Sequence, residues 1–366
     1  MFPPLLVQAA THAYPIHLGS GLLKGLGATV RQEAFAAAAR TCAVVTDDRV
    51  APLYAPTALA SLREAGFSPA LVTVPAGEAS KSLARVEEVC GQLAEAGLDR
   101  HGFVLALGGG VVGDLAGFAA SVYYRGIPFV QVPTTVVAQV DSSVGGKTGV
   151  NLPAAKNLVG AFHPPALVVA DVDTLDTLPD REFNEGMAEA IKHAVIRDHG
   201  LLGRLLTLDR CDRAALTAVV RRNLEIKAEV VARDEFETDG TRALLNFGHT
   251  VGHAIEQSAG YSRLLHGEAI SLGMVAAARL SARKAGLPAA HYEEILRALA
   301  HYHLPTTLPA DVSTETALAS MARDKKFRAG TIRFVLTPQL GQAFLSEPGL
   351  ITWEDLQQEL AALRPG

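Results

Sequence analysis

The sequence predicts an α/β fold with a largely parallel sheet in its N-terminal half, followed by a region of helices. Three observations predict it. Short apolar, β-branched runs alternate with helical stretches up to about residue 176. One of those runs, 103–107, opens straight into Gly108-Gly109-Gly110 and a further helical stretch. After residue 176 helical periodicity takes over and a single strand signal remains. Alternation of this kind is met by parallel strands joined through crossover helices.

Taken in order, residues 42–46 (CAVVT) form the first expected strand, closed by Asp47-Asp48. A helix over about 50–65 stops at Gly66, and 70–74 (ALVTV) is a strand ending at Pro75-Ala76-Gly77. Leu83, Val86, Val89 and Leu93 recur at helical spacing across 82–96. Strand 103–107 (FVLAL), helix 111–122 and strands 128–132 (PFVQV) and 166–170 (ALVVA) follow. The alanine-rich patch 34–39 reads as a helix or its end. Helices are expected at 183–198, 213–232, 243–258, 267–285 and 291–301, with a strand at 331–336 (TIRFVL). The boundary falls in Leu175–Pro179, giving domains 1–176 and 177–366.

A chain of 366 residues exceeds one ordinary core, so two domains are expected. Hydrophobic residues at 49% and charged residues at 19% exclude a disordered protein. A net charge of −5 gives no basic footprint for nucleic acid. Cys42, Cys90 and Cys211 are scattered and share no metal-ligand spacing, which points to a reducing compartment. The stretch MFPPLLVQAATHAYPIHLG lacks the basic and apolar segments of a signal peptide, and no uncharged apolar run has the ~18 residues of a membrane span. A cytoplasmic protein is expected.

Gly108-Gly109-Gly110-Val111-Val112-Gly113-Asp114 fits G-x-G-x-x-G between a strand and a helix. Glycines there let the backbone approach a pyrophosphate, and the helix N-terminus offers free N–H groups. No acidic residue lies about 20 residues on, so Asp47, at the end of an earlier strand, is the candidate ribose partner. Gly145-Gly146-Lys147-Thr148 resembles half a P-loop, but Asp141 stands where the first glycine is required. Lys147 and Lys156 are left as candidates for phosphate or substrate oxygens.

Residues 246–256 read Asn-Phe-Gly-His-Thr-Val-Gly-His-Ala-Ile-Glu, with His249 and His253 on one helical face. His266 opens the next helix, and upstream Glu189 and Lys192 share a face three residues apart. A catalytic zinc takes three ligands from His, Glu or Asp and leaves one position open. Thr250 removes the H-E-x-x-H protease reading. Spacing leaves two assignments: both His249 and His253 bind metal, or one binds and the other is a base. Arg125, Lys227, Arg242, Lys325 and Lys326 add cations suited to a substrate with phosphate and carboxylate groups.

Over almost its whole length the chain resembles the 3-dehydroquinate synthases. The resemblance rests on PAGEASKS (75–82), GGGVVGDLAGFAAS (108–121), YRGIPFVQVPTT (124–135), QVDSSVGGKTGVN (139–151), KNLVGAFHPP (156–165), TLPDREFNEGMAEAIKH (177–193), LLNFGHTVGHAIE (244–256) and HGEAI (266–270). It implies a Rossmann-like N-terminal nucleotide-binding domain, a helical C-terminal domain, an active site in the cleft between them, and a homodimer. The implied activity is that of a phosphorus–oxygen lyase of the shikimate pathway. It turns 3-deoxy-D-arabino-heptulosonate 7-phosphate into 3-dehydroquinate and phosphate by transient oxidation with NAD, β-elimination, re-reduction and aldol closure. The implied metal is zinc, with cobalt as a substitute.

Carried over by motif, the resemblance makes Glu189, His249 and His266 the metal ligands and His253 an acid–base group. It assigns NAD to Asp47, Glu78, Lys81, Gly109, Gly110, Gly113, Asp114, Thr134, Thr135, Lys147, Lys156, Asn157, Thr174, Leu175 and Thr177. It assigns substrate to Asp141, Lys147, Asn157, Lys192, Lys227, Arg242, Asn246 and one of Lys325 or Lys326. Arg125 matches an arginine that reaches the neighbouring subunit's substrate phosphate. Two departures stand out: Lys192-His193-Ala194 replaces the family's frequent Lys-Tyr-Gly, and Lys227 lies 22 residues before His249, one more than in some members. The competing readings are a 2-deoxy-scyllo-inosose or valiolone-type cyclase, a metal-dependent alcohol or glycerol dehydrogenase, and an inactive nucleotide-binding protein.

Overall fold

The computed structural model describes residues 3–153, 155–260, 263–323 and 333–364. The chain forms two compact units, Met1–Leu178 with Arg210–Phe236, and Pro179–Asp209 with Glu237–Gly366. In the first unit the strands are β1 (Leu5–Gln8), β2 (Ala13–Gly19), β3 (Thr41–Asp47), β4 (Ser68–Val74), β5 (Phe103–Gly108), β6 (Phe129–Pro133), β7 (Lys147–Leu152), β8 (Ala155–Phe162) and β9 (Leu167–Asp171). Seven of them make one sheet in the order β1-β2-β9-β6-β5-β3-β4. Only the β1–β2 pair is antiparallel in that sheet. β7 and β8 pair separately as an antiparallel hairpin.

Every residue of β5 is buried, as a central parallel strand covered on both faces requires. Val104 and Ala106 face one core with α3 (Leu83–Glu95) and α4 (Gly110–Val122). Phe103, Leu105 and Leu107 face the other with α1 (Leu26–Gln32) and α2 (Ala51–Glu64). The five strands expected from apolar runs are β3, β4, β5, β6 and β9. β2 and the β7–β8 hairpin carry no such run: β2 reads AYPIHLG, with buried Tyr14, Ile16 and Leu18 alternating around Pro15 and His17. The alanine-rich patch is a single 3-10 turn, Ala34–Ala36.

The chain leaves the first unit for α5 (Asp180–Arg197) and α6 (His199–Leu206), then returns for α7 (Arg213–Arg233). The expected division at 176/177 placed α7 with the helical region. It packs instead on β1, on a π turn at Ala138–Ser142 and on the turn Val172–Thr177. Its apolar residues, among them Leu216, Val220 and Leu224, are covered there, and periodicity alone does not say which surface covers a helix. Glu235, just past its end, accepts hydrogen bonds from Thr11 N (2.9 Å) and Thr11 Oγ1 (2.8 Å) in the β1–β2 turn.

The second unit adds α8 (His249–Ser258), α9 (His266–Lys284), α10 (Ala289–His301), α11 (Thr314–Arg323) and a last helix, Trp353–Ala362. The helix expected over 243–258 is two pieces: a 3-10 turn Arg242–Asn246, then α8, divided at Gly248 with φ +80°. The strand expected at 331–336 is β10 (Val335–Gln339), paired with β11 (Gln342–Leu345); residues 331–332 lie outside the described residues. No described helix is long and apolar enough to cross a membrane.

Gly27 marks where α1 meets α2. A Cβ there would lie 2.0 Å from Ser61 O, and its N–H donates to Ser61 Oγ at 3.0 Å. Gly27→Ala is expected to cost about 1–3 kcal/mol, seen as a lower thermal midpoint. Gly203→Ala, where a Cβ meets nothing within 4 Å in α6, should hold or raise that midpoint.

Candidate active site

In the second unit three helices bring side chains from three distant stretches of the sequence together. α5 carries Glu189 and Lys192, α8 begins at His249, and α9 begins at His266. Glycines permit the approach. A Cβ on Gly273 of α9 would lie 1.9 Å from Gly248 O, and one on Gly267 would lie 1.9 Å from Glu185 O. No residue with a side chain fits either place without moving a helix backbone.

The ring centroids of His249 and His253 are 5.2 Å apart, and each lies 5.7 Å from that of His266. One ring nitrogen from each lies within 4.8 Å of the others. Glu189 stands among them with its side chain 1% exposed. Its Oε2 accepts a hydrogen bond from Lys192. Its Oε1 has no hydrogen-bond partner, yet lies 3.4 Å from His249 Nε2 and 3.3 Å from His266 Nε2. Burial alone would raise this carboxyl's pKa, but the Lys192 ammonium and the His249 ring outweigh it and hold it well below the usual range.

Each ring has its own setting. His249 Nδ1 lies 3.2 Å from Phe247 O, and burial lowers its pKa against the pull of Glu189. His266 Nδ1 lies 3.5 Å from Glu256 Oε2. Burial lowers the His266 pKa, but its contacts with Glu189 and Glu256 outweigh that and raise it to about 10. His253 is the most exposed of the three, and its ring lies beside those of His249 and His266. Glu185 accepts from Gly267 N at 2.8 Å, and burial lifts its carboxyl to about 7. Two Nε2 atoms and one carboxylate oxygen around a metal, each ~2.0–2.2 Å away at a tetrahedral angle, would stand about 3.4 Å apart. The two Glu189–imidazole separations, 3.4 and 3.3 Å, match two of those three distances.

Also in this unit, Arg242 is buried and Asn246 exposed on the turn before α8. His193 is fully buried on α5. Lys325 and Lys326 lie outside the described residues.

In the first unit the Gly108–Gly110 turn joins β5 to α4. A Cβ on Gly109 would lie 2.9 Å from Thr135 Cγ2, and one on Gly113 would lie 2.8 Å from Gln131 Oε1. Beside it, Lys81 Nζ donates to Asp114 Oδ2 (2.7 Å) and Asn157 Oδ1 (2.6 Å). Burial raises the Asp114 pKa, and Lys81 opposes it. Glu78 Oε1 accepts from Asn151 Nδ2 at 2.7 Å and stands 3.6 Å from Lys156 Nζ. Asn157, at φ +54°, donates its N–H to Asn151 Oδ1 at 2.8 Å. Five expected residues thus share one network. Asn151 joins them although no motif singled it out; its place opposite Asn157 in the β7–β8 hairpin is what brings it in.

The other expected residues are placed separately. Asp47 Oδ1 caps the backbone at Arg49 and Val50. Thr134 is buried with its hydroxyl unpartnered, and Thr135 Oγ1 accepts from Ala138 N at 3.2 Å. Thr174 and Leu175 are buried, and the Thr174 hydroxyl donates to Asp171 O at 2.7 Å, so their side chains are turned inward. Thr177 is exposed beside Tyr54, whose hydroxyl lies 2.7 Å from Thr177 Oγ1. Lys227 on α7 donates to Asp141 Oδ1 at 2.6 Å. Lys147 is the exposed first residue of β7. Arg125 is exposed at φ +67°.

A parallel sheet with a glycine turn at its strand ends, and a helical unit holding a Glu–His cluster, define a protein of the dehydroquinate synthase-like fold. Residues 71–185 match the family 3-dehydroquinate synthase N-terminal, and residues 186–327 match 3-dehydroquinate synthase C-terminal. A 3-dehydroquinate synthase of Symbiobacterium thermophilum is 51% identical, covering 95% of this chain and 98% of that protein. One of Desulforamulus reducens is 46% identical, covering 92% and 94%. The solved 2-epi-5-epi-valiolone synthase of Streptomyces hygroscopicus, with NAD+ and Zn2+ bound, superposes with a TM-score of 0.85 at 30% identity over 96% of each chain. The chain belongs to the 3-dehydroquinate synthase family.

Lys192→Met leaves the buried Glu189 carboxylate without its cation. The metal-free variant is expected to lose about 3–5 kcal/mol, read by urea denaturation, and added zinc should restore part of it.

Proposed function

We propose that this protein releases phosphate from 3-deoxy-D-arabino-heptulosonate 7-phosphate to form 3-dehydroquinate, with NAD and a divalent metal of the zinc type. The observation that carries this reading is the unpartnered Glu189 Oε1 facing the Nε2 atoms of His249 and His266 in a chain of this family. When bound, NAD supplies a transient hydride acceptor and the metal a Lewis acid for a substrate hydroxyl. Glu189, His249 and His266 hold the metal; the two rings with Nδ1 beside an acceptor are His249 and His266. His253, the third ring of the cluster, serves as the acid–base group and moves a proton at its ring nitrogen.

Substrate anions are served in the first unit by Lys227, held by Asp141, with Lys147 and Asn157, and in the second unit by Lys192, Arg242, Asn246 and one of Lys325 or Lys326. The Gly108–Gly110 turn with Glu78, Lys81, Asp114, Thr134, Thr135, Lys156, Asn157 and Thr177 takes the cofactor. Asp47 meets its ribose through the oxygen not used as a cap. The protein acts as a homodimer, with the exposed Arg125 serving the neighbouring subunit's substrate phosphate.

With the heptulosonate phosphate, zinc and catalytic NAD, phosphate and 3-dehydroquinate should appear in equal amounts while NADH stays flat. Net NADH without phosphate release would overturn the synthase reading in favour of a dehydrogenase. A preference for a sugar phosphate lacking the carboxylate would favour a related cyclase.

His266→Ala is expected to lose zinc and activity together. His253→Ala should retain zinc stoichiometrically and lose about 10²–10⁴ in rate, measured by metal analysis beside the phosphate assay. A metal-free His253→Ala protein would show that the ligand set is wrong.

A further inference from the structure

One face of α8 presents more than two histidines. Glu256 lies three residues after His253 and seven after His249, so all three side chains share that face. The carboxylate is 4% exposed, and its Oε2 stands 3.5 Å from His266 Nδ1 on the neighbouring helix. The opposite ring nitrogen of His266, Nε2, stands 3.3 Å from Glu189 Oε1. The His266 ring is thus gripped between two carboxylates, one at each nitrogen.

His249 has the same arrangement with a different partner. Its Nδ1 lies 3.2 Å from the Phe247 carbonyl, and its Nε2 lies 3.4 Å from the same Glu189 oxygen. An imidazole whose Nδ1–H donates to an oxygen has its lone pair on Nε2. Both rings turn Nε2 toward one point, and with a cation there each Nδ1–H would face an oxygen, the Phe247 carbonyl or the Glu256 carboxylate. His249 is set by main chain that the Gly248 turn fixes, whereas His266 is set by a side chain that can be substituted.

We propose that Glu256 is a positioning residue of the metal centre: it fixes the tautomer and ring plane of His266 so that Nε2 faces the cation, and it strengthens that nitrogen as a ligand. This rests on the reading that Glu189, His249 and His266 hold a divalent metal. Carboxylates placed behind a ligating histidine orient it and raise its basicity, and their loss typically weakens metal binding 10–100-fold.

The test uses the full-length protein, stripped of metal and titrated with zinc against a chromophoric chelator. Glu256→Leu is expected to bind zinc 10–100-fold more weakly. Glu256→Gln, which keeps an acceptor but not the charge, should fall between the variant and the parent. The cobalt-loaded variants should show a shifted visible ligand-field spectrum, a change that loss of packing elsewhere would not give. If Glu256→Leu fails to fold, Glu256→Gln carries the decision. A folded variant with parental zinc affinity and an unchanged cobalt spectrum overturns the proposal. His266→Ala separates the two failures: if it still binds zinc, the ligand reading falls, and if it loses zinc while the Glu256 variants do not, only the role of Glu256 falls.

Discussion

The second unit is organised around one buried charge. The Glu189 carboxylate is removed from water, and such a group is tolerated only where opposite charge and hydrogen bonds replace its hydration. Lys192 answers one oxygen from the next turn of the same helix. The other oxygen is directed at two imidazoles from two other helices. With no hydrogen bond of its own, that oxygen is placed where it and the two ring nitrogens would hold a cation. It also ties α5, α8 and α9 to one another, because moving any of them leaves a buried polar group worse satisfied.

Such convergence needs helices closer than ordinary side chains allow. Gly248, Gly252, Gly267 and Gly273 supply it, each at a place where a Cβ would press on the neighbouring backbone or side chains. The same glycines set the starts of α8 and α9, so His249 and His266 each occupy the first residue of a helix. The N-terminus of α9 is further held by Glu268, which accepts from Leu265 N and pairs with Arg181. Position and packing here are one device: the contact that builds the core also aims the rings.

The first unit solves a different problem with similar means. Its glycine turn brings backbone N–H groups to the C-terminal edge of the sheet, and glycine again answers to neighbours, Thr135 and Gln131. Around the turn, Lys81 compensates Asp114 and reaches Asn157, so Asp114 is partnered before any ligand arrives. The strained backbone of Asn157 is held by the β7–β8 hairpin and by Asn151. Sites that must bind charged groups commonly hold such strain in place with surrounding hydrogen bonds.

How much of this was legible follows from the range of each signal. The five apolar strands, the glycine turn and the long helices are local patterns of hydrophobicity and backbone freedom, and the residues of 103–113 or 267–285 carry them whole. The motifs GHTVGHAIE and EGMAEAIKH carried the chemistry of the cluster, and with it the family. Spacing could not choose between His249 with His253 and a set that includes Glu189, because Glu189 lies 60 residues before His249 and only the packing of both α5 and α8 on α9 makes them neighbours. It could not place α7, whose apolar face fits any apolar surface, nor show that Thr174 and Leu175 turn inward. The linear sequence determined which groups are present and the local backbone each prefers. The tertiary structure decided which of them meet, since burial, glycine contact and the compensation of a buried charge are properties of pairs far apart in the chain.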